Sequence, residues 1–170
     1  MPITQDEFMR LLNSNKNIIY KICHVYCAGE NDKADLAQEI SYHLWKSATS
    51  YNANYKFSTW MYRIALNTAI SHYRKKKKDV LVTPLSDHHF NKEDTGLNDE
   101  KEEQIARLYR FIGELSVLDK AVILLYLEQR TYKEIAEIIG LSVTNVSTKI
   151  NRLKERLKKS LLIKQRYNER

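Results

Sequence analysis

Glycine and proline are scarce, four and two among 170 residues. Turn-rich all-β folds and collagen-like repeats need far more of both, so neither is expected. Long apolar runs are missing as well. The longest, Ala121–Leu127, has seven residues, whereas a membrane-spanning helix takes about 18 or more. No membrane insertion is expected. The first residues, MPITQDEF, lack a basic stretch followed by an apolar one. No secretory signal is read there, and a cytoplasmic location is expected. Cysteine is limited to Cys23 and Cys27, with His24 beside the first. Two thiols make no disulfide framework, and a four-ligand zinc site lacks its second pair. They read as small core residues, and no metal is expected. Phosphate-cradling glycine loops, nucleophile–base pairs and paired catalytic carboxylates are also lacking, so the expectation is a non-enzyme without a cofactor.

What is present is charge, unevenly placed. Lys and Arg total 28 against 21 Asp and Glu, a net charge of +7. Residues 71–78 carry five basic groups and no acidic one, and residues 141–170 carry nine against two. Between them, residues 79–104 hold eight acidic and two basic groups. Basic clusters attract polyanions through Coulomb attraction and counterion release. At roughly 150 residues per domain the length fits one domain or two small ones, and the acidic stretch, with little periodicity, reads as a flexible linker. The expected organisation is all-α. A helical domain spans 1–78, the linker 79–104, a second helical domain with a helix-turn-helix 105–162, and a polar tail 163–170.

Helix signals support this. Thr4 with Glu7, Ser116 with Asp119 and Thr131 with Glu134 fit N-terminal caps. Asn13–Asn17 is a candidate break. A helix from about Asp32 repeats Leu36, Ile40 and Leu44 at four-residue spacing. Its carboxylates Asp32, Asp35 and Glu39 fall on a neighbouring face. Another helix is expected from about Ser58 to Lys78, with Phe57, Trp60, Met61 and Ile64 as its apolar arc. Trp60, Arg63, Asn67 and Arg74 form one strip of it, preceded by a loop carrying Tyr51, Asn52, Tyr55 and Lys56. Aromatics interleaved with basic groups suit unstacked single-stranded bases, although Trp60 also borders the apolar arc and fits a core position.

The segment Thr131–Leu157 is the most informative. A short helix ends at Gly140, Ser142 caps the next, and Ala136 and Val146 stand four residues before and six after the glycine. That spacing is the steric pattern of a helix-turn-helix. Val146, Ile150, Leu153 and Leu157 form the inner stripe of the second helix. Thr144, Thr148, Asn151 and Arg152 lie opposite, flanked by Asn145 and Lys149, and such groups bond base edges and phosphates in a major groove.

These segments resemble the bacterial sigma factors of the extracytoplasmic-function type. DKADLAQEI (Asp32–Ile40) resembles the family's D-x-x-D-L-x-Q-E motif, and FSTWMYRIALN (Phe57–Asn67) its F-x-x-W-L-x-x-I-A-x-N motif. Leu115–Leu157 resembles the family's region 4. The resemblance implies a transcription initiation factor that binds RNA polymerase core and directs it to promoters. It places Asp32, Asp35, Gln38 and Glu39 against the polymerase. It assigns Tyr51, Asn52, Lys56, Trp60, Arg63, Asn67 and Arg74 to the single-stranded minus-10 element. Duplex DNA at minus-35 falls to Thr131, Ser142, Thr144, Asn145, Thr148, Lys149 and Arg152. The linker is expected near the polymerase's RNA exit path, and an anti-sigma protein is a further partner the family allows. Asn145 departs from the family's common threonine, so promoter preference does not carry over. Two rival classes remain. A free-standing dimeric helix-turn-helix regulator leaves the Asp32–Ile40 motif idle. A metal or redox protein on Cys23, His24 and Cys27 predicts bound zinc or a thiol-dependent activity.

Overall fold

Thr4 opens helix α1 (Gln5–Ser14), its hydroxyl accepting the Glu7 N–H at 3.3 Å. The asparagine-rich stretch does break the chain. The Asn15 N–H bonds back to Leu11 and Leu12, its carboxamide donates to the Leu11 carbonyl at 2.8 Å, and α2 (Lys16–Tyr26) starts afresh. Gly29 precedes α3 (Glu30–Lys46), which begins two residues before the expected Asp32. A single tight turn, Ala48–Ser50, leads to a loop and then α4 (Phe57–Asp79). The structure, a computed structural model, describes residues 3–79 and 99–168, and most of the expected linker lies outside that range. It resumes with α5 (Asp99–Gly113), α6 (Val117–Leu127), α7 (Tyr132–Ile139) and α8 (Val143–Asn168). All regular elements among the described residues are helical, and none is long and apolar enough to cross a membrane.

Two boundaries differ from expectation. Residues 99–104, read as the end of the linker, form the first turns of α5. The stretch 163–168, read as tail, continues α8. It contains no Gly or Pro, so nothing in its backbone chemistry stops the helix.

The chain divides into two compact units, Met1–Asp87 and His88–Arg170. In the first, α4 packs against both α2 and α3, which also touch each other. Leu36, Ile40 and Leu44 are fully buried, as their spacing requires, and so are Met61, Tyr62, Ala65 and Ala69 of α4. Flanked on two sides, α4 buries a wider arc than the expected four residues. Leu36, Ile40, Leu44 and Met61 each contribute about 1.5–3 kcal/mol by leaving water, and the alanine methyls less. In the second unit α6, α7 and α8 pack mutually, and α5 lies on α6 and α8. Ala121–Leu125, Ile135, Ile138, Val146, Ile150 and Leu153 form its core.

Candidate functional site

The helix-turn-helix is built by local bonds. Thr131 and Glu134 form a reciprocal capping box at the start of α7, and the Glu134 N–H donates to Thr131 Oγ1 at 3.2 Å. Gly140 closes α7 at φ 77°, a left-handed conformation that costs glycine nothing. The Leu141 N–H then bonds back to Ala136 at 3.0 Å. Ser142 Oγ accepts from the Asn145 N–H at 3.1 Å and starts α8. Buried Ala136 and Val146 bring the two helices close.

This leaves Thr144, Asn145, Thr148, Asn151 and Arg152 exposed on one side of α8. The Thr148 hydroxyl donates to the Thr144 carbonyl at 3.0 Å, so its oxygen remains an acceptor. Thr131 and Ser142 spend their side chains as caps. Lys149 is half-buried, and its ammonium lies 2.9 Å from Asp119 Oδ1 on α6. Burial pushes the Asp119 carboxyl up, but hydrogen bonds from Lys149 and Ser116 and the charges of Lys149 and Arg156 outweigh it and hold the group below its usual value. The sequence reading passed over Val143, an apolar residue 48% exposed at the first position of α8. No sequence signal separates it from a core valine.

In the first unit, Trp60 is half-buried in an aromatic cluster. Its ring centroid lies 5.3 Å from Tyr51, 5.3 Å from Phe57 and 6.3 Å from Phe8. The expected stacking residue is thus also a packing residue, only partly exposed. Arg63, Asn67 and Arg74 are exposed along the same helix. The loop before it is ordered by its own polar groups. The Tyr51 hydroxyl donates to the Tyr55 carbonyl at 2.8 Å, and Asn52 Oδ1 accepts the Asn54 N–H at 3.0 Å. Lys56 is exposed, and its carbonyl accepts the N–H groups of Thr59 and Trp60 in the first turn of α4.

The carboxylate face of α3 divides in two. Asp35 and Gln38 are exposed. Asp32 and Glu39 turn instead toward α4. His72 stands between them, Nε2 at 2.9 Å from Asp32 Oδ1 and Nδ1 at 2.9 Å from Glu39 Oε2. Lys76 completes the group with an ion pair to Asp32. Burial lowers the His72 imidazole, but bonds to the two carboxylates outweigh it and raise its pKa. Asp32, despite its burial, is held low by Lys76, His72 and Cys27. Tyr42 and Trp45, 58% and 51% exposed, continue the outward face from Asp35 and Gln38 at helical spacing. Aromatics on the side opposite the Leu36 stripe were the signal the sequence offered for them.

The two thiols are buried. Burial and the nearby Asp32 charge push Cys23 up to about 11 and raise Cys27 as well. Both are therefore neutral thiols and poor nucleophiles at ordinary pH. His24 stacks on Tyr20, centroids 4.9 Å apart. The sulfur of Cys27 instead meets Asp32 and His72, the three possible ligand atoms lying within 4.8 Å of one another.

Comparison with known proteins covers both units. The family model described as Sigma-70 region 2 matches residues 11–79, and that described as Sigma-70, region 4 matches residues 105–157. The chain is 30% identical over 173 residues to the ECF RNA polymerase sigma factor SigW of Bacillus subtilis (strain 168), covering 92% of this chain and 90% of that one. It is 30% identical over 142 residues to the ECF RNA polymerase sigma-E factor of Haemophilus influenzae, covering 77% and 75%. Among solved structures, the sigma factor RpoE crystallised with the anti-sigma factor NepR from Bartonella quintana has a TM-score of 0.76 at 18% identity, covering 94% of this chain and 99% of that one. CnrH in complex with the cytosolic domain of CnrY has a TM-score of 0.67 at 21% identity, covering 93% and 89%. At those identities the two structures speak for the fold alone.

Proposed function

The chain belongs to the ECF RNA polymerase sigma factors, and from that premise we infer how its surfaces serve promoter recognition. It is a transcription initiation factor that binds RNA polymerase core and directs it to specific promoters. In this reading it has no catalysis of its own and works in the cytoplasm, where the polymerase is.

The observation that carries the assignment of surfaces is the outward row on α8. Thr144, Asn145, Thr148 and Arg152 stand exposed behind a helix-turn-helix whose turn is closed by Gly140. A helix presented this way fits the major groove of the minus-35 duplex, with Arg152 offering a bidentate donor to guanine or phosphate. Val143 at its tip suits contact with a thymine methyl. Thr131, Ser142 and Lys149 act behind this row, holding its geometry. Thr131 and Ser142 are exposed and Lys149 half-buried, which still allows phosphate contacts.

On the first unit, Arg63, Asn67 and Arg74 form the track for the melted minus-10 strand. Trp60 offers the exposed part of its ring, and Tyr51, Asn52 and Lys56 shape the loop where an unstacked base would lodge. Asp35 and Gln38, extended by Tyr42 and Trp45, are the surface for polymerase core. Asp32 and Glu39 support that surface from beneath rather than meeting the partner directly. An anti-sigma protein is proposed as a further partner, as RpoE is described in complex with one, the anti-sigma factor NepR.

The test is run-off transcription with bacterial core RNA polymerase on the promoter upstream of the protein's own gene. A specific start that requires the protein is the expected result. Absence of a transcript together with absence of core binding would return the chain to the free-standing regulator.

A further inference from the structure

We propose that Cys27, Asp32 and His72 form a binding site for a zinc ion that fastens α2, α3 and α4 together beneath the outward face of α3. The three donors come from three separate elements: the residue closing α2, the first turns of α3, and the second half of α4. Their ligand atoms lie within 4.8 Å of one another. Tetrahedral zinc with sulfur at about 2.3 Å and nitrogen or oxygen at about 2.0 Å sets its donors roughly 3.3–3.5 Å apart. The widest pair therefore closes by at most about 1.5 Å, within reach of a cysteine rotamer change.

The chemistry of the donor set selects the ion. One thiolate, one imidazole and one carboxylate match zinc, whereas magnesium and calcium take oxygen ligands throughout. The surroundings are also those of a metal-bound histidine. His72 Nε2 faces Asp32, and Nδ1 is held by Glu39 Oε2 at 2.9 Å. A carboxylate on the far nitrogen fixes the ring and raises its basicity as a ligand. Without metal, Lys76 fills the positive role beside Asp32. Its side chain is 52% exposed and long, so it can swing into solvent when the ion enters. Binding displaces that ammonium, releases the Cys27 thiol proton and any Nε2 proton of His72 to water, and moves no electrons. A fourth position remains for water.

The experiment titrates the full-length reduced, metal-free protein with cobalt(II) and then with zinc(II). A single equivalent of cobalt is expected to produce a thiolate-to-metal charge-transfer band, which zinc then abolishes. Cys23→Ser should keep the band. Cys27→Ser should lose it, and His72→Gln should weaken binding more than tenfold. Glu39→Gln should keep the band but weaken binding by about 10–100-fold, as loss of the orienting carboxylate does. Wild-type protein without a thiolate band would overturn the proposal irrespective of how the variants fold. So would a band that survives Cys27→Ser or one that disappears equally in Cys23→Ser.

Discussion

Lys149 Nζ on α8 and Asp119 Oδ1 on α6 lie 2.9 Å apart, joining the DNA-facing helix to the core helix behind it. The Asp119 carboxyl is held below its ordinary 3.8 by this partner, by Ser116 and by the Arg156 charge, against the opposing effect of burial. A carboxyl lowered by folding contributes stability above its unfolded pKa and loses it as pH falls through the folded value. Asp119→Asn should therefore cost about 0.5–1.5 kcal/mol near neutrality. The gap to wild type should close below 3.8. Urea melts of both proteins along a pH series measure it, and a gap independent of pH would disprove the pairing.

The same contact separates two basic residues one helical turn apart. Arg152 is exposed, while Lys149 is partly buried and paired. Arg152→Ala should weaken binding to minus-35 duplex by about 1–3 kcal/mol and leave the melting temperature unchanged. Lys149→Ala should lower the melting temperature and change duplex affinity less. Fluorescence anisotropy beside thermal melts distinguishes them, and equal losses of affinity would return Lys149 to the base-reading row.

Contacts of this kind set the limit of what was legible in the sequence. Periodicity and caps act over three or four residues, so Leu36, Ile40 and Leu44, the Thr131–Glu134 box and the Gly140 turn could all be read directly. Lys149 meets Asp119 across 30 positions, and His72 meets Asp32 across 40. No local rule marks such partners. Hence the resemblance set Asp32 and Glu39 beside Asp35 against the polymerase, and only the fold shows that both also bond His72 of α4. Trp60 carried both a core and a surface signal, and the fold leaves its ring half-buried among Phe8, Tyr51 and Phe57. The start of α5 was hidden for another reason: its first turns are acidic and polar, and resemble a linker until tertiary packing begins.

Backbone conformation offers a prediction independent of side-chain contacts. Gly140 adopts φ 77° and Gln129, just after α6, φ 57°. A Cβ at Gly140 would meet nothing within 4 Å, so Gly140→Ala carries only the left-handed penalty of about 1–2 kcal/mol. Gln129 already bears that strain where its neighbour's N–H bonds back to Leu125. Gln129→Gly should therefore raise stability by up to about 1 kcal/mol, the relief being partly offset by the freer unfolded chain. Chemical denaturation of the two variants should move their midpoints in opposite directions.

The polymerase surface is best tested where the fold does not depend on the residue. Asp35 is exposed, whereas Glu39 holds His72. Asp35→Lys should weaken core binding by about 1.5–3 kcal/mol, more than tenfold, with circular dichroism and duplex affinity unaltered. Glu39→Lys should also lower the melting temperature, because it places a cation beside an imidazole raised by its two carboxylates. Normal core binding by Asp35→Lys would move the interface off this face of α3.

For the minus-10 strand, Arg63 and Trp60 separate recognition from packing. Arg63 is exposed, and its removal leaves the core intact. Arg63→Ala should reduce affinity for single-stranded minus-10 DNA and flatten its salt dependence by about one phosphate contact, with no change in melting temperature. Trp60 touches Phe8, Tyr51 and Phe57. Trp60→Ala should lose about 2–3 kcal/mol of stability from its half-buried ring, together with any stacking on a base. Trp60→Phe restores most of the packing with a smaller stacking surface. If Trp60→Phe recovers stability but not strand capture, the ring serves DNA as well as the core. If it recovers both, any aromatic ring suffices for capture and the indole has no DNA role of its own.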